Sequence, residues 1–330
     1  MSGRAANHPA PHPGPLPAEQ GEGGLTPPLY IYLCFGKSPG PQRELRYSLE
    51  TLLAEIGGDS SRVAIFTDRP QDFADRPERI VDIAADLAEM SWGRSYMFRI
   101  KPIVLARALR LFERGCVMMD TDSFIRPGFD EAVAEALAAG AAMNSFVRGD
   151  PYPFFGPFET DLPHLGHYKF DPATSLMLNS GLVAARFEHA TLIEDAVVLL
   201  DRLWAAGLVR HDVEQFAVAE AFRVAGVPIR LIEREFEHYC PRWSKRYMRR
   251  RLRQHKRTAS AERSGARPSI PFRKARVRLF KFRWLFELAI RSLTRRPRQT
   301  PGAAPKRRRL KRLGERAYEA KRRRCRNRRP

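Results

Sequence analysis

The 330-residue chain is long enough for one large domain or two, and its 43% hydrophobic and 29% charged residues are ordinary for a globular protein. Its four cysteines, Cys34, Cys116, Cys240 and Cys325, include no CxxC pair, so neither a zinc knuckle nor a disulfide framework is indicated and a reducing compartment fits best. No stretch approaches the roughly 18 apolar residues of a membrane span, and the N-terminus lacks the basic and apolar segments of a secretory signal. The formal net charge of +21 is unevenly spread: residues 241–330 carry net +31 and residues 1–240 net −10. An acidic body with a basic C-terminal segment points to a polyanionic partner for that segment.

Residues 1–28 are rich in Pro, Gly and Ala, too poor in apolar side chains for a core, and are read as disordered. The fold begins at Leu29 to Phe35, a buried strand ending at Gly36. Leu45, Leu49, Leu52, Leu53 and Ile56 recur at helical spacing and predict a helix over 43–56. Residues 62–68 predict a second strand that ends in Asp68, and Ile80 to Ile83 a short third one. Tyr96 to Phe112 predicts a helix, and Cys116 to Met119 a strand that ends abruptly in Asp120-Thr121-Asp122. An Ala-rich helix follows over 130–139. Residues 150–172, rich in Pro, Gly and aromatic side chains, read as a long loop without periodicity, the usual form of a lid or binding loop. Leu176 to Ala185 reads as a strand broken by Asn179-Ser180-Gly181, then come helices over 188–206 and 212–225 and a last strand at Ile229 to Ile232. Alternating strands and helices predict an α/β fold, a mostly parallel, doubly wound sheet with helices on both faces. In the basic segment, Leu279, Phe282, Phe286, Ala289, Ile290 and Leu293 form one apolar helical face over 276–293. The Arg/Lys-rich residues 297–330 are expected to be disordered.

The chemistry concentrates at Asp120 and Asp122. In open α/β sheets, ligands bind outside the C-terminal ends of the strands, where this pair lies. Two carboxylates two residues apart on an extended segment point the same way, and their repulsion is relieved by a positive charge between them. A hard divalent ion, Mn²⁺ or Mg²⁺, fits oxygen donors and leaves positions open for substrate phosphates. The plainer reading is a pair of acids capping a surface loop.

Leu29 to Gly36, Phe66-Thr67-Asp68, Phe98-Arg99-Ile100-Lys101, Val117 to Asp122, Leu178-Asn179-Ser180-Gly181, Val213-Glu214-Gln215-Phe216 and His238-Tyr239 form an ordered series. Over residues 29–245 that series resembles the glycosyltransferases of GT-A fold with an Asp-x-Asp motif, nearest to the glycogenin-like family 8 enzymes and uncharacterised bacterial relatives. The resemblance implies a cytoplasmic, metal-dependent transferase using a nucleotide sugar, a UDP-sugar foremost, with a glycan or lipid-linked acceptor. By the same resemblance, Asp120, Asp122 and His238 would hold the metal. Phe35, Gly36, Asp68, Arg99, Lys101, Asp120 and Gly181 would line the donor, Arg99 and Lys101 either clamping its diphosphate or holding Asp120 in place. Glu214, Gln215 and Asn179 would stand beside the transferred sugar, with Asp212 competing for that role. Family 8 implies retention of configuration, whereas an inverting enzyme needs a carboxylate base, for which Asp150, Asp161 and Asp171 are candidates. The residues after Tyr239 depart from the family 8 pattern, which weakens the carry-over to His238.

The domain plan is then a disordered segment 1–28, a GT-A domain 29–245, a basic helical extension 246–296 and a basic tail 297–330. The basic residues suit peripheral contact with an anionic membrane on its inner face, and equally a plain arrangement in which residues 276–293 pack on the globular body as a core-covering helix and the remainder is a solvated tail. Nucleic acid is the weaker partner, because nothing in 1–240 resembles a groove-reading motif. The competing function is a GT-A-like binding protein without turnover that works through its basic tail.

Overall fold

A computed structural model of the chain describes residues 26–147, 152–258, 272, 276–282 and 284. The expected disorder of residues 1–25 and 297–330, and most of the apolar face over 276–293, lie outside the described residues. The chain divides into two units, residues 1–277 and 278–330. Residues 278–282 and 284 of the second are helical.

The first half runs β1 (Leu29–Leu33), α1 (Pro39–Glu55), β2 (Val63–Thr67), β3 (Arg79–Asp82), α2 (Leu87–Met90), α3 (Ile100–Phe112) and β4 (Cys116–Met119). The second half runs β5 (Ser123–Ile125), α4 (Phe129–Ala139), β6 (Ala141–Phe146), α5 (Tyr152–Phe155), β7 (Glu159–Leu162), β8 (Gly166–Lys169), β9 (Leu178–Ala185), α6 (Ala190–Ala205), α7 (Val213–Val224), β10 (Ile229–Leu231), β11 (Phe236–His238) and α8 (Arg242–Thr258). Seven strands form one sheet in the order β10-β6-β9-β4-β1-β2-β3. All neighbours pair parallel except β9, which runs antiparallel to both β4 and β6. This mostly parallel α/β sheet is flanked by helices on both faces, as the alternation predicts.

The strands are buried on both faces, so they read as continuous apolar runs. Along β1, Leu29 and Ile31 point into one apolar layer with α3, α6 and α7, while Tyr30 and Tyr32 point into a second with α1 and α4. A third cluster joins Phe155, Leu162, Tyr168 and Phe170 to Leu199, Leu203, Val213 and Phe216. It packs α5 and the β7–β8 hairpin onto α6 and α7. The expected structureless loop is therefore partly ordered: two antiparallel strands turn within it, held by burial of Leu162 and Tyr168.

Other elements depart from the sequence expectation for identifiable reasons. β6 follows α4 after a single glycine, and its Ala-rich sequence has no strand propensity; pairing with β9 and β10 makes it a strand. β5 and β11 are three residues each and, among the described residues, pair only with one another. Among its described side chains α8 buries Tyr247, Met248 and Leu252, and nine of its seventeen residues are basic, which hides its amphipathicity. It crosses residue 245, where the sequence ends the domain, and packs on α1. Gly140 is required between α4 and β6: a Cβ there would lie 2.5 Å from the Pro228 carbonyl oxygen.

Candidate metal centre

β4 and β9 are central, antiparallel neighbours, and the centre grows from their adjoining ends. Met119 pairs with Leu182, and the Asp120 amide continues the ladder by donating to the Gly181 carbonyl at 2.9 Å. On the other side of β9 the register with β6 slips from Met143 opposite Val183 to Ser145 opposite Asn179. One residue of β6, Asn144, thus faces three of β9, Ser180 to Leu182. Asn179-Ser180-Gly181 therefore bulges within a continuous strand and does not end it. Bulges re-aim side chains, and this one turns Asn179 to His238 and Asn144, and Ser180 to Lys101 and Glu214.

β11 brings His238 over the bulge. Gly181 makes room for it, since a Cβ at that position would stand 2.2 Å from His238 Nδ1. His238 Nε2 lies 3.4 Å from Asp120 Oδ2 and 3.6 Å from Asp122 Oδ1. One donor atom from each of the three residues falls within 4.8 Å of the others. The remaining carboxylate oxygens are held by lysines: Lys101 Nζ is 2.9 Å from Asp120 Oδ1, and Lys245 Nζ is 2.8 Å from Asp122 Oδ2. Each carboxylate thus turns one oxygen to a cation and the other inward.

The donor set fits a divalent ion. Two carboxylates and an imidazole are hard-to-borderline ligands of the kind Mn²⁺ and Mg²⁺ accept. Burial disfavours the His238 cation, but the adjacent Asp122 and Asp120 carboxylates outweigh burial and raise its pKa to about 10. Burial likewise opposes the Asp122 anion, yet His238 and Lys245 hold it well below the usual carboxylate range.

Lys101 is buried and comes from the first turn of α3. Its ammonium donates to the Ser180 carbonyl at 2.8 Å and to Ser180 Oγ at 3.1 Å, and Glu214 Oε1 stands 3.7 Å away. Burial lowers the Lys101 pKa, but the Asp120 and Glu214 charges more than restore it. Glu214, buried in the first turn of α7, accepts from Ser180 Oγ at 3.0 Å, and its pKa is raised by burial against the pull of Lys101.

The other expected site residues are placed as follows. Gly36 has φ +81°, a backbone that favours glycine, and its amide donates to Asp68 Oδ1 at 2.8 Å, so the ends of β1 and β2 meet. Phe35 packs against the core, and Gln215 is half-exposed beside Glu214. Arg99 is not brought to the carboxylates. Its Nε and Nη2 both bond Asp201 at 2.8 Å, Nη1 donates to the Glu89 and Met90 carbonyls, and the guanidinium lies 4.8 Å over the Trp92 ring. Those contacts tie the start of α3 to α6 and take up its fork. Asp212 is engaged by Arg210, Asp161 by His167, and Asp171 by Ala173 and Thr174; Asp150 lies outside the described residues. Sequence reasoning missed Asn144 and Lys245. The first sits in an alanine-rich strand, and the second is seven residues beyond His238 but indistinguishable from a dense basic background.

No family model and no curated protein matches the chain. Among solved structures it is similar to the apo structure of the WbbM bifunctional glycosyltransferase, at 11% identity and a TM-score of 0.37, over 67% of this chain and 48% of that one. The chain thus spans about half the length of that protein. A likeness this distant leaves the functional reading to the geometry of the centre itself.

Proposed function

We propose that the protein transfers a sugar from a nucleotide-sugar donor, a UDP-sugar foremost, to a glycan or lipid-linked acceptor. The observation that carries this reading is the convergence of Asp120 Oδ2, Asp122 Oδ1 and His238 Nε2 at the C-terminal edge of a mostly parallel sheet. Those three residues would hold Mn²⁺ or Mg²⁺, and a bound divalent ion supplies Lewis-acid stabilisation of a departing diphosphate. The ends of β1 and β2, with Phe35, Gly36 and Asp68, offer a place for the nucleoside on the same edge. Lys101 acts as a fixed charge that keeps Asp120 aimed inward. Lys245, a third exposed, is free to exchange Asp122 for a phosphate oxygen when donor binds. Glu214 acts through Lys101 and Ser180, which leaves its half-exposed neighbour Gln215 to meet the sugar. The resemblance to family 8 supports retention of configuration.

A second element of this reading concerns location. α8 turns Lys245 and Arg249 inward, the latter onto buried Glu44 at 2.8 Å. Arg242, Arg250 and Arg253 are exposed at positions i, i+8 and i+11, one stripe of the helix. That stripe suits an anionic membrane surface, while no described helix is long and apolar enough to cross one.

The test is thermal unfolding with a panel of nucleotides, each with and without Mn²⁺. Binding to the native state raises the melting temperature by mass action. The expected result is a shift with UDP plus Mn²⁺ that neither gives alone and that Asp122→Ala abolishes. No shift with any nucleotide would leave the binding-protein alternative.

A further inference from the structure

We infer that Asn144 and Asn179 form a positioning relay that decides which imidazole nitrogen of His238 faces the carboxylates, an inference that rests on the metal-dependent reading above. The buried Asn144 is the lone β6 residue opposite the β9 bulge, and its Nδ2 donates to Asn179 Oδ1 at 3.0 Å. The Gly181 amide donates to the same oxygen at 2.9 Å, and His238 Nδ1 stands 2.9 Å from it.

The chemistry follows from what each group can do. An asparagine side chain has one accepting end and one donating end. The Gly181 backbone N–H is a fixed donor that meets Asn179 at one point, and the Asn144 amide, which can turn either end, meets it there too. Turning the Asn179 NH₂ to that point would set it against the Gly181 N–H. Asn179 therefore keeps its oxygen at that point, and the oxygen is also what His238 Nδ1 meets. Only a protonated Nδ1 satisfies it. The proton that a neutral imidazole carries is thereby placed on Nδ1, and Nε2, which faces Asp120 and Asp122, keeps its lone pair for an ion. The other tautomer would aim an N–H at the centre and offer the ion nothing.

This assigns Asn179 a different task from meeting the sugar. Its accepting end is committed inside the protein, and Asn144, one shell further out, acts on His238 only through it. Both are positioning residues. The bulge serves the same end, because a regular register would move Asn144 away from Asn179 and pair it along the ladder. Gly181 contributes twice, by its amide and by the absence of a Cβ where the imidazole sits.

The experiment measures Mn²⁺ affinity of the full chain by the loss of the free-ion EPR signal, for wild type and for Asn144→Leu, Asn179→Leu and Asn179→Asp. Outer-sphere partners of a ligating histidine are worth about 10–100-fold in metal affinity. Both leucine variants are expected to weaken Mn²⁺ by that factor. Asn179→Asp keeps an oxygen toward Nδ1–H and is expected to bind at least as well as wild type. Two further readouts separate positioning from stability. Melting temperatures without metal should change little while the Mn²⁺-induced shift shrinks in the leucine variants. The ¹⁴N modulation of bound Mn²⁺, the signature of a coordinated imidazole, should persist in wild type and Asn179→Asp and fade in the leucine variants. Alanine at either position replaces leucine where leucine does not fold. Wild-type affinity and ¹⁴N modulation in the leucine or alanine variants would overturn the relay while leaving the metal reading intact. Loss of binding in Asn179→Asp would overturn it too. A wild-type chain that binds no Mn²⁺ would remove both.

Discussion

Asp120 and Asp122 stand two residues apart, yet their outer oxygens answer to different parts of the chain. Asp120 is held by Lys101, a buried cation shared with Ser180 and Glu214, all of them on central elements of the sheet layer. Asp122 is held by Lys245, which is a third exposed and comes from a helix laid over α1 at the end of the folded unit. The first lysine is surrounded by groups that need it; the second has solvent as an alternative. A charge that burial makes indispensable is suited to fixing a ligand, whereas one that can leave at low cost is suited to exchanging partners when an anionic substrate arrives. The centre is thus rigid on its β4–β9 side and adjustable on its α8 side.

The largest effect should come from breaking the rigid side. Lys101→Met leaves Glu214 and Asp120 without their shared cation in a buried setting. Removing one partner of such a group costs about 3–5 kcal/mol. Urea unfolding at neutral pH should show a loss of that size, together with loss of Mn²⁺ binding. A loss below about 1 kcal/mol, the range of an exposed pair, would mean that water already relieves these charges, and the contrast between the two lysines would collapse.

Next in size is Gly181→Ala. The added Cβ would sit 2.2 Å from His238 Nδ1, so the ring must move. Overpacking of this kind costs about 1–3 kcal/mol. The expected outcome is a folded protein with a lowered melting temperature and no measurable Mn²⁺ binding in titration calorimetry. An unchanged affinity would show that His238 is not held where Gly181 admits it.

How far the sequence announced all this follows from the same contrast. The strands of the parallel sheet are buried on both faces, so residues such as Leu29 to Leu33 read directly as apolar runs. Asp120 and Asp122 stood out because they end one of them. The β9 bulge was visible as a break at Asn179-Ser180-Gly181, but a break and a bulge look alike until the partner strand is known. Lys101 and Arg99 were indistinguishable as two basic residues at a helix start. One is buried against Asp120 and the other spends its fork on Asp201, and nothing local separates them. Asn144 could not be found, since its role depends on a register slip between two strands 30 or more residues apart. Lys245 and α8 were hidden for another reason. Where nine of seventeen residues are basic, the two that turn inward to Asp122 and Glu44 carry no mark of their own.

Lys245→Ala probes the adjustable side and should cost less than Lys101→Met. The lysine is a third exposed, but the Asp122 oxygen it holds is buried, so the melting temperature should fall, with His238 still facing the other Asp122 oxygen. Its effect should depend on the ligand. Mn²⁺ alone should bind as tightly as in wild type or tighter, because a competing cation beside Asp122 is gone. UDP in the presence of Mn²⁺ should bind more weakly, because a phosphate contact is gone. Calorimetric titration of each, on wild type and variant, separates the two. Equal weakening of both would place Lys245 with Lys101 as part of the rigid frame.

The smallest effect on the centre should come from the exposed arginines of the same helix. Arg242, Arg250 and Arg253 are exposed and pair with no carboxylate among the described residues, so reversing all three to glutamate should leave both the melting temperature and Mn²⁺ affinity as they are. Sedimentation with vesicles should respond instead. Each basic residue near an anionic bilayer contributes about 1 kcal/mol, and three reversals remove that attraction and add repulsion. Vesicles rich in anionic lipid should therefore bind the wild-type chain and release the variant, with neutral vesicles binding neither. Retained binding would move membrane contact from α8 to the basic residues beyond it. A fall in Mn²⁺ affinity would carry more weight, because it would mean that the exposed arginines of α8 reach the centre through Lys245, and that a surface bound by the helix could alter how Asp122 is held.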